Sequence, residues 1–441
     1  MVRISVIGGG SLFVVSLLHG LWRVSDDLNE KNENVEISLY DIIPERAEIV
    51  AKYGWLLNEK AKVPVIMEVA STRDECLKDS DIVLLSITLS NSIQFARTIS
   101  VVSGLSSEIE SGEFGPSEIA IAARSFPFMK KLGKDIKRLS QKAILLNLVN
   151  PTDLIAELIE ESTGVQSFGL CVEVEHLRDH LCYYFNYRPE QISMIYAGVN
   201  HDGWVLSLTV DGEDGYKLLH DKILSLPKRA DFHPGNQTVV ILYQLTGYLR
   251  SSMYHSGIWN AVPCLDLRLR DVFYGTNKYE REISAVKSAL EMKKPIQDNY
   301  LRIHPELSPV RYLGTGIAIA RLARSIAMGR KDIFALQPRN QGSITNFPRN
   351  VRVEVPVIYN RGIFQPLDIG EFPEWLGWTS KQLAIKRKLA AEYILTHDKN
   401  LLRHALISVP QTFTVNNLAA YIEILHGKLE NAKESDWELT P

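Results

Sequence analysis

The chain has 441 residues, 45% of them hydrophobic and 23% charged, with a formal net charge of −3. That length exceeds what one hydrophobic core usually serves, so two intimately packed domains are expected. The charge balance and the lack of a Lys/Arg run exclude a nucleic-acid footprint, and no stretch approaches the roughly 18–20 apolar residues that cross a bilayer.

The opening Met1-Val-Arg-Ile-Ser-Val-Ile7 alternates and is β-rich, so a strand is expected over 2–7, not a signal peptide; glycines end its short apolar run. Residues 11–24 are apolar at helical spacing. A second strand over 35–41 ends in an acid, and 43–60 reads as helix. Strands follow over 65–69 and 81–86. The run Ile82-Val-Leu-Leu85 is wholly apolar, as a strand buried on both faces must be. Residues 117–140 carry one or two helices, and 143–147 another strand. Alternating strand and helix up to about residue 170 predicts an α/β fold, a Rossmann-like doubly wound parallel sheet over 1–170. After residue 190 the pattern changes. Antiparallel strands are expected over 192–197 and 204–210, helices over 236–255, 278–293, 315–328 and 379–396, and one or two strands over 351–367. These form a mixed α+β domain over 171–441, in which 227–236 is a loop. The four cysteines, Cys76, Cys171, Cys182 and Cys264, form no framework, which points to a reducing, cytoplasmic setting.

The turn Gly8-Gly-Gly10-Ser11 follows the first strand and opens a helix. A bound pyrophosphate needs a tight turn, a close backbone approach and free N–H groups at a helix start, which Gly8, Gly10 and Ser11 supply. Phe13 stands where the strict fingerprint has a third glycine. Asp41, at the end of the second strand, suits ribose hydroxyls and repels a 2′-phosphate, so NAD is the expected cofactor. Its longer spacing from the turn fits a polar insertion at 26–34.

Two more strand ends carry unusual chemistry. Gly169-Leu-Cys171 and Gly198-Val-Asn200-His201 each run from a strand into a loop, and a thiolate with an imidazole can share one divalent transition metal. Either residue alone is more often structural. Asn147 and Asn150-Pro151 close a strand at the carboxyl edge, where such sheets bind ligands. His176 and His180 share a helical face and read as surface or packing residues.

Taken in order, these pieces resemble glycoside hydrolase family 4, the NAD- and Mn-dependent glycosidases. The matching stretches are Ile7-Gly-Gly-Gly-Ser11, Leu39-Tyr-Asp41, Arg97, Gly115-Pro116, Ala123-Arg-Ser-Phe-Pro127 and Asn150-Pro151. They continue with Gly169-Leu-Cys171, Gly198-Val-Asn-His201, Tyr248-Leu-Arg250, Asn340-Gln-Gly-Ser-Ile-Thr-Asn-Phe-Pro348 and Val353-Glu-Val-Pro356. The resemblance implies a lactate/malate dehydrogenase-like fold. It also implies Cys171 and His201 as ligands of a divalent metal, manganese, and Gly8, Gly10, Ser11 and Asp41 as NAD contacts. Asn150, with Arg97, Asn200 and Arg250, would meet the sugar. Tyr248 would be the base. The implied reaction is oxidation at sugar C3, loss of the C2 proton to Tyr248, elimination of the aglycone, addition of water and return of the hydride. A free phenol ionises only near pH ~10, so the base role calls for the metal or Arg250 nearby. Family members are homodimers or homotetramers, and a small glycoside is the expected partner.

The chain departs from the family pattern in several places. Val172 follows the metal cysteine where Asn or His is usual. Arg97-Thr-Ile-Ser100 lacks the acid of Arg-x-x-Asp. The glutamates of the 108–117 loop are shifted, and Leu313-Gly-Thr-Gly-Ile-Ala-Ile319 has lost the arginine and serine of the 6-phospho enzymes, leaving Arg311 as a substitute. A non-phosphorylated or uronic sugar, or an atypical ligand, is therefore expected. Glu108, Glu110, Glu113 and Asp153 are candidates for the general acid. Two alternatives stay open: a catalytically silent NAD- or sugar-binding relative, and a 2-hydroxy-acid dehydrogenase, in which Cys171 would have no role.

Overall fold

The computed structural model describes residues 1–104, 115–171, 173–185, 187–225, 243–251, 313–408 and 414–432. The expected helix over 278–293, the loop at 227–236, Val172, Glu108, Glu110, Glu113, Cys264 and Arg311 lie outside them.

The first sheet is parallel, with strands β1 (Val2–Ile7), β2 (Val35–Tyr40), β3 (Val65–Val69), β4 (Ile82–Leu85), β5 (Ile144–Asn147) and β6 (Ser167–Gly169). Their spatial order is β3-β2-β1-β4-β5-β6, the order of a dinucleotide-binding doubly wound sheet, with its switch point between β1 and β4. The four residues of β4 are each 0% exposed, so the all-apolar run is buried on both faces as its composition requires. Helices α1 (Leu12–Arg23), α2 (Ser25–Glu30), α3 (Pro44–Ala61), α4 (Arg73–Leu77), α5 (Ser90–Val102), α6 (Ser117–Leu139) and α7 (Thr152–Thr163) connect or cover the strands. The polar insertion before β2 is thus a short helix, α2. Residues 117–140 form one helix, α6, that carries Pro127 inside it.

Beyond β6 come α8 (Glu173–Phe185), the long hairpin β7 (Ile192–Val199) and β8 (Asp202–Val210), the short β9 (Glu213–Asp214), α9 (Gly215–Ser225) and β10 (Leu249–Arg250). Strands β10, β8 and β7 form an antiparallel sheet, with β9 on β8. Of the expected helix over 236–255, residues 236–242 and 252–255 lie outside the described residues, and the part over 247–251 is corrected here. Residues 243–246 are helical, but Gly247 takes φ 75° and the next residues pair with β8, Leu249 with Val205 and Arg250 with Trp204. A glycine in the left-handed region ends a helix cheaply, and β8 offers an open edge.

Helix α10 (Leu313–Met328) precedes a third sheet, β11 (Asp332–Leu336), β12 (Val355–Asn360) and β13 (Ile363–Pro366). Helices α11 (Glu374–Thr396), α12 (Lys399–Ile407) and α13 (Val415–Glu430) follow. Strand β11 and helices α12 and α13 were not expected from the sequence. The close packing of α1 on α10 turns on two glycines. A Cβ on Gly316 would lie 2.0 Å from the Ser16 carbonyl oxygen, and one on Gly20 would lie 2.3 Å from the Gly316 carbonyl oxygen. The three sheets are stitched by isolated bridges, Gly169 with Gln337 and Gly198 with Glu354. Those bridges bring β6, the β7–β8 hairpin and the third sheet to one place. No described helix is long and apolar enough to cross a membrane.

Candidate functional site

The glycine turn sits at the carboxyl end of β1. Gly8 adopts φ 96°, and a Cβ there would lie 2.0 Å from the Ser86 carbonyl oxygen, so only glycine fits. Gly10 donates its N–H to Asp41 Oδ2 at 2.8 Å, and Asp41 Oδ1 accepts from the Ile43 N–H at 2.9 Å. Each carboxylate oxygen keeps a further lone pair for a ribose hydroxyl. Ser11 caps α1, its Oγ accepting from the Phe13 N–H at 3.3 Å and meeting Ser86 Oγ at 2.7 Å. Gly8, Gly10, Ser11 and Asp41 therefore come together at one helix start.

Past the same edge of the sheet lies a second cluster. Cys171 stands just beyond β6, and His201 is the second residue of the two-residue turn between β7 and β8. Its φ is 63°, in the left-handed region that histidine, like asparagine and aspartate, enters more readily than other non-glycine residues. The Cys171 sulfur, a Glu173 carboxylate oxygen and a His201 ring nitrogen all lie within 4.8 Å of one another. All three side chains are buried or nearly so, and His201 Nε2 is 3.8 Å from Glu173 Oε1. Burial pushes the Cys171 thiol up to about 12, opposed by the neighbouring His201. A cation held there would reverse that balance and favour the thiolate.

Buried polar struts hold the hairpin in place. Gln337 Nε2 donates to Asn200 Oδ1 and to Glu354 Oε1, each at 3.0 Å, and Thr152 Oγ1 donates to Gln337 Oε1 at 2.8 Å. Burial pushes the Glu354 carboxyl up to about 7, opposed by the Gln337 hydrogen bond. Arg387 Nη1 bonds Asp153 Oδ2 at 2.7 Å and the Asn200 carbonyl at 3.2 Å. Arg250, 0% exposed, donates to Asp202 Oδ1 at 2.6 Å and to the His201 carbonyl at 3.2 Å, and lies over the Trp204 ring. Among the described residues, Asn200 Nδ2 and Glu354 Oε2 are buried without a hydrogen-bond partner.

The remaining expected residues lie on other elements. Asn150 is exposed beyond β5, next to the cis bond to Pro151. Arg97 is exposed on α5. Tyr248 is half-buried on the β10 edge, its ring edge-on to Tyr216 and to Trp375, both at 6.1 Å between centroids. Asp153 is 1% exposed and paired with Arg387, which ill suits a proton donor. Sequence reading had not picked out Glu173, Gln337, Glu354 or Arg387. Glu173 lies two residues from Cys171 and Glu354 lies inside the quoted Val353-Glu-Val-Pro356, so both had a local signal. Gln337 and Arg387 had none.

Comparison with known proteins gives two family models that together match nearly the whole chain. The model described as family 4 glycosyl hydrolase matches residues 3–185, and that of the family 4 glycosyl hydrolase C-terminal domain matches residues 196–412. The 6-phospho-beta-glucosidase BglT of Thermotoga maritima is 25% identical over 92% of this chain and 94% of its own length. An alpha-galactosidase of Bacillus subtilis is 22% identical over 93% of this chain and 94% of its own. A 6-phospho-alpha-glucosidase from gut microorganisms, solved in complex with NAD and Mn2+, shares the fold with a TM-score of 0.76 at 18% identity, over 98% of both chains. A lactate dehydrogenase from Eimeria maxima shares it at a TM-score of 0.51 and 14% identity, over 90% of this chain and 98% of that one.

Proposed function

The chain belongs to family 4 of the glycosyl hydrolases, and on that premise we propose that it cleaves a small glycoside with NAD and a divalent metal, manganese being the working ion. The observation that carries the reading is one of placement. A glycine turn built for a pyrophosphate and a buried sulfur–nitrogen cluster both lie off the carboxyl edge of one parallel sheet. The residues present fit both groups. The Gly8 turn has no room for a Cβ, and soft sulfur, imidazole and carboxylate donors converge on one buried point.

When bound, NAD supplies hydride exchange at the sugar and the metal supplies a Lewis acid beside the oxidised carbon. The chain does the rest. Gly8, Gly10 and Ser11 hold the pyrophosphate at the start of α1, and Asp41 holds a ribose. Cys171 and His201 hold the ion. Tyr248 takes the proton from sugar C2, and Asn150, Arg97 and Asn200 orient sugar hydroxyls. Arg250 acts from beneath by fixing the His201 turn. The sugar is non-phosphorylated or uronic, since the arginine and serine of the phosphate-binding element are absent from residues 313–319. The active species is a homodimer or homotetramer.

The test is glycoside cleavage in D₂O with NAD⁺, Mn²⁺ and a reductant, across aryl glycosides of both anomers, phosphorylated, neutral and uronic. Released phenol with deuterium at C2, dependent on both additions, is expected. NAD binding without release from any glycoside would leave the silent relative as the better reading. Net NADH from a free hydroxy acid would favour the dehydrogenase.

A further inference from the structure

We infer that Glu173 is a third protein ligand of the metal, completing a Cys171–Glu173–His201 site. The inference rests on the metal-dependent reading above and deepens it. Donor atoms bound to one ion at ~2.0–2.3 Å lie no more than about 4.6 Å apart. Here the three donor atoms fall within 4.8 Å of one another, and the carboxylate-to-imidazole distance is 3.8 Å. Small side-chain rotations bring all three onto a single cation.

The donors come from three different elements: the loop after β6, the first turn of α8 and the β7–β8 turn. Cys171 and Glu173 are two residues apart in the chain, and the bridges between the sheets bring His201 to them. Glu173 is 3% exposed, so its carboxylate meets the thiol and the imidazole inside the protein and not in solvent. A divalent cation neutralises the thiolate and the carboxylate together. The residue between them, Val172, brings no polar side-chain atom, so Glu173 is the donor this segment adds to the cysteine.

The coordination count gives the consequence. A six-coordinate ion with three protein donors keeps three positions, enough for two sugar oxygens and one water. Such an ion would be retained by the protein in the absence of sugar. With two protein donors it would lean on the sugar to be retained.

The experiment is Mn²⁺ titration of the full chain, freed of metal by chelator and without glycoside, with free Mn²⁺ followed by electron paramagnetic resonance. NAD binding and the melting curve are recorded for each variant. Cys171→Ser is expected to abolish binding. Glu173→Gln is expected to weaken it at least ~10–100-fold, the scale on which even supporting groups of a metal site act. Glu173→Asp keeps the charge at the start of α8 but draws the carboxylate back by one methylene. Weakened binding there supports ligation, whereas an unchanged affinity means the acid only serves the helix terminus. Glu173→Gln at wild-type affinity, with Cys171→Ser inactive in binding, overturns the third ligand and leaves the two-ligand site standing. A wild-type chain that binds no Mn²⁺ overturns both.

Discussion

Replacing Arg250 by methionine tests what holds the His201 turn. Arg250 is 0% exposed and Asp202 1%, and their ion pair spans 2.6 Å. Methionine conserves most of the stem and deletes the charge. It leaves the Asp202 carboxylate buried, with neither oxygen served by Arg250 and the His201 carbonyl short of a donor. Breaking one side of a buried pair costs about 3–5 kcal/mol. At about 2.1 cal/mol/K per residue, a chain of 441 residues has an unfolding entropy near ~0.9 kcal/mol/K. The expected drop in Tm is therefore about 3–6 °C. Mn²⁺ affinity without sugar should fall in parallel, because the turn that carries His201 loosens. Adding Asp202→Asn should recover part of the loss, since the stranded charge is then gone. A variant with unchanged Tm and metal affinity but a raised KM would refute this reasoning. Arg250 would then be a sugar contact, as the family resemblance implies.

Further expectations follow from other parts of the molecule. Gly8→Ala forces φ 96° on a residue with a Cβ and drives that Cβ to 2.0 Å from a backbone oxygen, so NAD affinity, read by fluorescence quenching, should drop by at least about tenfold. Wild-type affinity in that variant would show that NAD does not use this turn. Burial holds the His19 imidazole down at about 4, against an ordinary value of 6.5, and its Nε2 meets the Tyr53 hydroxyl at 2.7 Å. Because the folded value is depressed, the contribution is full above pH 6.5 and is lost as pH falls toward 4, about 3 kcal/mol in all. Melting curves from pH 7 to 4 should show that loss, and His19→Leu with Tyr53→Phe should flatten it. Gly316→Ala should separate α1 from α10 and lower Tm by about 1–3 °C, as overpacking by a methyl costs about 1–3 kcal/mol. Gly427→Ala, where an added Cβ meets nothing within 4 Å, should leave Tm unchanged or raise it. Equal effects at the two glycines would argue against a tight α1–α10 crossing.

The sequence by itself determined the parallel sheet, because a buried strand must be apolar throughout, as Ile82-Val83-Leu84-Leu85 is, and a helix must be apolar at its own period. It also determined the turn at Gly8, since only a glycine-rich strand end can approach another backbone so closely. The family was legible in the order of short motifs from Ile7 to Pro356. Cys171 and His201 stood out because reactive residue types at two strand ends are uncommon. Local pattern was blind where long-range pairing decided the outcome. Residues 249–250 have a helical neighbourhood, yet they are strand because β8 presents an unpaired edge and Gly247 breaks the turn. Gln337 and Arg387 are ordinary polar residues in sequence. They become struts of the His201 turn only because β6, β7 and the third sheet meet at the Gly169 and Gly198 bridges. Glu173 has only its nearness to Cys171 to mark it in sequence, until the fold sets both beside an imidazole that lies elsewhere along the chain. Periodicity and turn chemistry act over a few residues and can be read from the chain. The convergence of buried polar groups depends on contacts between distant segments, and only the folded structure brings those groups together.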